Sequence, residues 1–387
     1  MTAYLQDIRV LDCSMMLTGP YCSMLLADLG AEVVKIEQPA GGDSARAMIP
    51  GYFESLNRNK KSLTLNLKSA QGKEIFSRLV RSADILLEGF RGGVLKRLGL
   101  GYDPLREINP RIIYCSIAGY GQDSPLESRP GHDINYQGVA GVLSLSGAPD
   151  GPPDYTIGVA AADLNASVFA LSSILAALFY REKTGRGNCI EVAIADVAVS
   201  LMSNRIGEFF ARGKPSKEEQ MGRAAHGVFE TKEGKYITLA AAEDHFWKRL
   251  CQALDLKDLA QDPKFSLTIH RGKYRKEINE RLAETFKTRE QKEWLGILEK
   301  ADIPCGTVNT IEDLLNDPYI LSRQLILPQE HPSLGNIWQV AFPVKFLLEQ
   351  PQIKHPAPSL GQHNREILLS LGYGDEDLEM FKGAEVI

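Results

Sequence analysis

His132 stands in the run Gly131-His-Asp-Ile-Asn-Tyr136, and Asp163 follows it 31 residues later. Pro130-Gly131 breaks the chain and a run of small and apolar residues starts at His132, so the imidazole sits where a loop turns into a helix. Free N–H groups and the positive end of the helix dipole gather at such a junction. Asp163 occupies a second one, where the loop around Pro152-Pro153 and Gly158 gives way to a long apolar helix starting at Leu164. Two acid/base groups at two helix starts can face one substrate carbon from opposite sides. Removing a weakly acidic C–H and returning the proton from the other face calls for such a pair in opposite protonation states.

Ile8 to Cys13 reads as a buried strand, Thr18-Gly19-Pro20 as a turn with Pro20 opening a helix to Leu29, Gly30 as its C-cap, and Glu32 to Glu37 as the next strand. This βαβ unit seeds a parallel sheet with right-handed crossovers. Its turn lacks G-x-G-x-x-G, so a dinucleotide is not expected. Strands are also predicted over Ser62–Leu67, Ala83–Glu88, Ile112–Ile117 and Asn188–Ala193, with helices over Gln71–Val80 and Leu164–Arg181. The expected fold class is α/β, a large domain with a parallel sheet plus a smaller α+β domain. Expected boundaries are 1–204 for the first part of the large domain, 205–224 for a charged, Gly/Pro-interrupted linker, 225–322 for the small domain, and 323–387 for a segment returning to the large one.

The net charge of −5 speaks against a general nucleic-acid partner. Between Arg58 and Arg97, however, ten Lys or Arg face three acids, a surplus of seven. Lys68, Arg91 and Arg97, with the glycines after Glu88, could hold a polyphosphate. Six scattered cysteines form no C-x-x-C pair and read as reduced thiols. No secretory signal is evident over Met1–Asp7, no apolar run is read as long enough to span a bilayer, and no metal site is expected. A cytoplasmic enzyme without membrane contact is the expectation.

Six stretches taken together resemble the class III CoA-transferase and α-methylacyl-CoA racemase family: VLDCSMMLTGPYCSMLLADLGAEVVKIE, NRNKKSLTLNLKS, ADILLEGFRGGVLKRLGL, GHDINY, ILAALFYREKTGRGNCIEVAIAD and IPCGTVNTIEDLLNDP. The resemblance implies a Rossmann-like large domain built from both termini, a smaller domain, and an interlocked homodimer. It implies that coenzyme A, as part of an acyl-CoA substrate and not as a separate cofactor, lies against Met16, Leu65, Lys68, Gly89, Phe90, Arg91 and Arg97. Gln38 stands where many relatives carry arginine.

GHDINY is similar to the racemase branch, which implies that His132 and Asp163 exchange protons with the α-carbon of a 2-substituted acyl-CoA thioester. In that reading Glu243 orients the imidazole and the backbone N–H of Asp133 lies near the thioester oxygen. The alternative is a CoA-transferase in which Asp163 attacks a donor thioester and carries CoA as an aspartyl thioester. A non-catalytic acyl-CoA-binding regulator is a third reading, and it leaves the His/Asp pair without a purpose.

Overall fold

The computed structural model describes residues 3–155 and 158–387. The chain divides into two compact units, the first comprising Met1–Leu143, Ile157–Ser203 and Tyr319–Ile387, the second Ser144–Thr156 and Asn204–Pro318.

In the first unit, β1 (Arg9–Cys13), β2 (Glu32–Glu37), β3 (Lys60–Thr64), β4 (Ile85–Glu88), β5 (Ile113–Ala118) and β6 (Asn188–Ala193) form one sheet in the order β3-β2-β1-β4-β5-β6. All five pairings are parallel. The expected α/β class with a parallel sheet is borne out. Because alternate residues point to opposite faces, each central strand feeds two cores. Val10, Ile85, Leu87, Ile113 and Cys115 pack on one face with α1 (Thr18–Asp28) and the Ala161–Thr184 helix. Leu11, Val34, Leu86 and Tyr114 pack on the other with α2 (Ala70–Arg81) and with Ile367, Leu368, Leu378 and Phe381 from the C-terminal segment.

The second unit holds an antiparallel sheet, β7 (His226–Glu230), β8 (Tyr236–Ala240) and β9 (Cys305–Thr307), with helices packed around Trp247, Leu250, Leu282 and Phe286.

Three local features differ from or add to the expectation. The helix after β1 begins at Thr18, so Pro20 is its third residue, where a missing N–H still costs nothing. The 205–224 stretch, expected as a charged linker, carries helical structure: Ser203–Ala211 and Lys217–Met221 are helical. A capping box explains the second helix, with the Ser216 N–H donating to Glu219 Oε2 at 2.7 Å and the Glu219 N–H donating to Ser216 Oγ at 3.3 Å. Finally, Ala161–Thr184, 24 residues long, is apolar enough by length and composition to cross a bilayer. One stripe of it, Ala162, Ala166, Ala170, Ile174 and Ala177, is buried in the core of the first unit.

Candidate active site

The strand order reverses direction between β1 and β4, and in such sheets ligands settle beyond the C-terminal strand ends at that switch point. A cavity of about 660 Å³ opens there. Cys13 at the end of β1 and Met15 beyond it, Ile36 to Ala40 across the end of β2, Leu65 to Lys68 after β3 and Phe90 after β4 line it, with Lys382 from the last helix and Glu385 just beyond that helix. Its size and its mixture of apolar walls with lysines suit a nucleotide-bearing thioester.

Of the residues expected to meet CoA, Leu65, Lys68 and Phe90 line this cavity. Met16 does not; its neighbour Met15 takes the wall, because Met16 adopts a left-handed backbone (φ 68°) and packs beside Ala45, Phe53 and Tyr52. Gly89 packs against Ser14, whose Cβ would lie 3.2 Å from an added methyl group. Glu88 positions the following loop by accepting the Phe90 N–H at 2.8 Å. Arg91 and Arg97 are exposed and lie outside the cavity wall, with Arg97 donating to Gly92 O at 3.4 Å. Gln38 lines the cavity and donates to Gly42 O at 3.3 Å. Lys382 escaped the sequence reading because nothing in its local pattern connects it to strand ends roughly 300 residues earlier in the chain.

The GHDINY run proves to be largely a corner brace. Asn135 Oδ1 accepts the His132 N–H at 2.9 Å and sets the start of the Asp133–Val139 helix. Tyr136 folds back to donate to Gly131 O at 2.7 Å and meets Tyr120 edge-on at 5.1 Å. Gly131 and Gly119 are needed for that ring, since an added Cβ would lie 2.7 Å and 2.5 Å from Tyr136 atoms respectively.

Asp133 makes the decisive contact. Its buried carboxylate accepts the N–H groups of Ala162 at 2.8 Å and of Asp163 at 3.1 Å, while Gln137 donates to its other oxygen at 2.5 Å. This is the work of an N-cap, done across about 30 residues of sequence. The Ala161–Thr184 helix has Ala160 at its own N-cap and no local side-chain cap. That absence was the available signal: a long helix starting without Ser, Thr, Asp or Asn must borrow its cap.

Asp163 therefore lies in the first turn of the helix rather than at the junction before it. It is half-buried and shares its neighbourhood with Thr18, Asp133 and His132. Burial pushes its carboxyl up and the Asp133 charge adds to this, against a hydrogen bond from the Thr18 side chain and the His132 charge, leaving it at about 6. Ser167 ties the two helix starts together, its hydroxyl donating to Thr18 O at 2.7 Å and to Asp163 O at 2.9 Å. His132 is exposed at the surface of this unit and close enough for its charge to act on Asp163. Both residues belong to the first unit, with no hydrogen bond or ion pair between their side chains among the contacts of the described residues.

Glu243 belongs to the second unit, where it precedes the Asp244–Ala253 helix and borders a 280 Å³ cavity with Arg223, Thr268 and Arg271. The buried Arg271 fixes that corner by donating to Ala242 O at 2.6 Å and to Asp244 Oδ1 at 2.7 Å. Among the described residues, no group of three or more His, Cys, Asp or Glu is placed to hold a metal ion.

The sequence pattern of CoA-transferase family III matches residues 5–364. Human succinyl-CoA:glutarate CoA-transferase is 34% identical, over 99% of this chain and 90% of its own length. Succinyl-CoA–D-citramalate CoA-transferase of Chloroflexus aurantiacus is 32% identical, over 99% and 98%. A crystal structure of a CaiB/BaiF family protein from Brucella suis superposes with a TM-score of 0.83 and 31% identity, covering 94% of this chain and 98% of that one. The two named enzymes are transferases, so the comparisons favour the transferase alternative over the racemase expected from GHDINY, a run whose residues here mostly brace the corner that presents Asp163. With the parallel sheet, the switch-point cavity and the matched span agreeing, the chain belongs to CoA-transferase family III.

Proposed function

We propose that this protein is a CoA-transferase in which Asp163 is the nucleophile. The observation that carries the proposal is a half-buried carboxylate in the first turn of a helix capped by Asp133, where burial and the neighbouring charge raise it to about 6. It is ionised at neutral pH, yet more basic than an ordinary aspartate and so a better attacking group. Asp163 attacks the donor thioester carbonyl and expels CoA thiolate, giving an acyl-aspartyl anhydride. The thiolate then attacks the aspartyl carbonyl, releasing the free acid and leaving an aspartyl-CoA thioester. An acceptor carboxylate attacks this thioester, and the returning thiolate cleaves the second anhydride at the acceptor's carbonyl, regenerating Asp163.

CoA enters as part of the substrate, along the switch-point cavity past Leu65, Lys68 and Phe90. The human and Chloroflexus relatives are both named for succinyl-CoA and a further dicarboxylic acid, which supports a dicarboxylate acceptor. Exposed apolar side chains on the long helix, among them Phe179 at 65% and Tyr180 at 49%, support assembly with a second copy.

A second reading, proton exchange at the α-carbon, is favoured by one feature, an exposed His132 imidazole whose charge acts on a carboxyl poised near 6. One experiment separates the two. Protein is incubated with succinyl-CoA alone, treated with hydroxylamine, and the peptide containing residue 163 is weighed. A hydroxamate at Asp163, absent in Asp163→Asn, is the expected result. No adduct, combined with deuterium uptake into a 2-methylacyl-CoA that His132→Ala abolishes, would establish the second reading instead.

A further inference from the structure

We infer that the buried Lys35–Asp43 ion pair positions the turn between β1 and α1 for catalysis, through the turn's contacts with the cavity on one side and Asp163 on the other. The inference rests on reading Asp163 as the nucleophile. Lys35 and Asp43 have fully buried side chains with Nζ and Oδ2 2.9 Å apart. Both also hold the turn backbone. Lys35 Nζ donates to Ser14 O at 2.8 Å, and Asp43 Oδ1 accepts the Met16 N–H at 3.0 Å and the Ala45 N–H at 2.9 Å.

A second buried pair closes the clamp. Asp12 Oδ1 accepts the Ser14 N–H at 2.9 Å, while Lys60 sits 3.2 Å from Asp12 Oδ2 and donates to Pro20 O at 2.9 Å. Four backbone groups between Ser14 and Pro20 are thus fixed by four buried charges. A turn needing only to be stable could be packed with apolar groups, because charges taken out of water are costly to bury even when paired. Here they hold Met16 in a left-handed backbone, φ 68°, that a non-glycine residue adopts only when its surroundings impose it.

The turn has two chemical ends. Met15 and Asp43 line the switch-point cavity. Thr18, at the other end, hydrogen-bonds the Asp163 side chain, and its carbonyl is tied to the long helix through Ser167. The clamp therefore sets the position of the cavity wall relative to the attacking carboxylate. A displacement of about 1 Å between reacting groups can cost about 100-fold in rate without weakening the binding of remote parts of the substrate.

The test compares two neutral double variants with a control of equal burial. Lys35→Met/Asp43→Asn keeps an oxygen for the Met16 N–H, and Lys35→Met/Asp43→Ala removes it. Asp28→Asn/Arg58→Met deletes another buried pair, 2.7 Å apart, that does not touch the turn. Measured per folded molecule on full-length protein, kcat is expected to fall roughly 10-fold in the first double and about 100-fold in the second. The fall in kcat should exceed any rise in CoA-ester Kd, and the control should keep kcat within about twofold. An unchanged kcat in the alanine double overturns the inference, as does an equal loss in the control. Should that double not fold, Thr18→Val carries the test, since it leaves the buried charges intact. A loss of kcat at constant Kd is expected, and unchanged kcat overturns the inference. Failure of the underlying reading shows separately, as transfer activity surviving in Asp163→Asn.

Discussion

Asp163→Asn should make this protein more stable, and by an amount that depends on pH. The native carboxyl sits at about 6 against an ordinary 3.8, a gap of about 2.2 worth ~3 kcal/mol at about 1.4 kcal/mol per pH unit. Solvent screening of a half-buried group trims this to roughly 2 kcal/mol. Below pH ~4 both folded and unfolded chains carry Asp163 protonated, and its charge costs nothing. As pH rises from there to about 6, the unfolded chain ionises while the folded one resists, so stability is progressively lost. Above 6 both are ionised and the full cost remains. Asparagine never ionises and can still accept from Thr18. The stability advantage of Asp163→Asn over the parent should therefore widen by about 1–2 kcal/mol between pH 4.5 and 8, read from urea unfolding at each pH. An advantage that stays constant across that range, or narrows, would refute the assignment of a strained carboxyl at this position. The variant should meanwhile lose adduct formation, so stability and activity part company at one residue.

Two further outcomes follow from the same geometry. Asp133→Ala should cost about 1–2 kcal/mol by uncapping Ala162 and Asp163, and should also lower the Asp163 pKa by removing the neighbouring negative charge; an acid limb of the pH–rate profile that does not move downward would contradict this. Lys382→Ala should weaken CoA-ester binding by about fivefold, roughly 1 kcal/mol, with kcat unchanged, because Lys382 lines the cavity and Asp163 is not part of that lining; calorimetry with a non-hydrolysable CoA thioether checks it.

Much of the fold was legible because its signals are local. The apolar runs of β1, β2, β4 and β5, with Gly30 ending α1 at φ 104°, announce a parallel sheet buried on both faces. The short helix inside the 205–224 stretch was not legible because charge and Gly/Pro content masked the capping box at Ser216 and Glu219, itself a local signal that the composition outweighed.

At the site, the residue types alone determined that His132 and Asp163 have acid/base or nucleophilic chemistry to offer, and that the basic stretch from Arg58 to Arg97 suits an anion. What they do there is decided by packing. Asp133 is a cap for a helix that starts 28 residues later, and Tyr136 closes on Gly131. Lys382 reaches the β1–β4 switch point from the far end of the chain, and Lys35 and Asp43 grip a turn they do not adjoin in sequence. Sequence patterns report forces within a few residues, whereas burial and charge pairing between distant segments exist only once the sheet has brought them together. It is that burial, together with the borrowed cap's negative charge, that lifts Asp163 to about 6 and turns an ordinary aspartate into a candidate nucleophile.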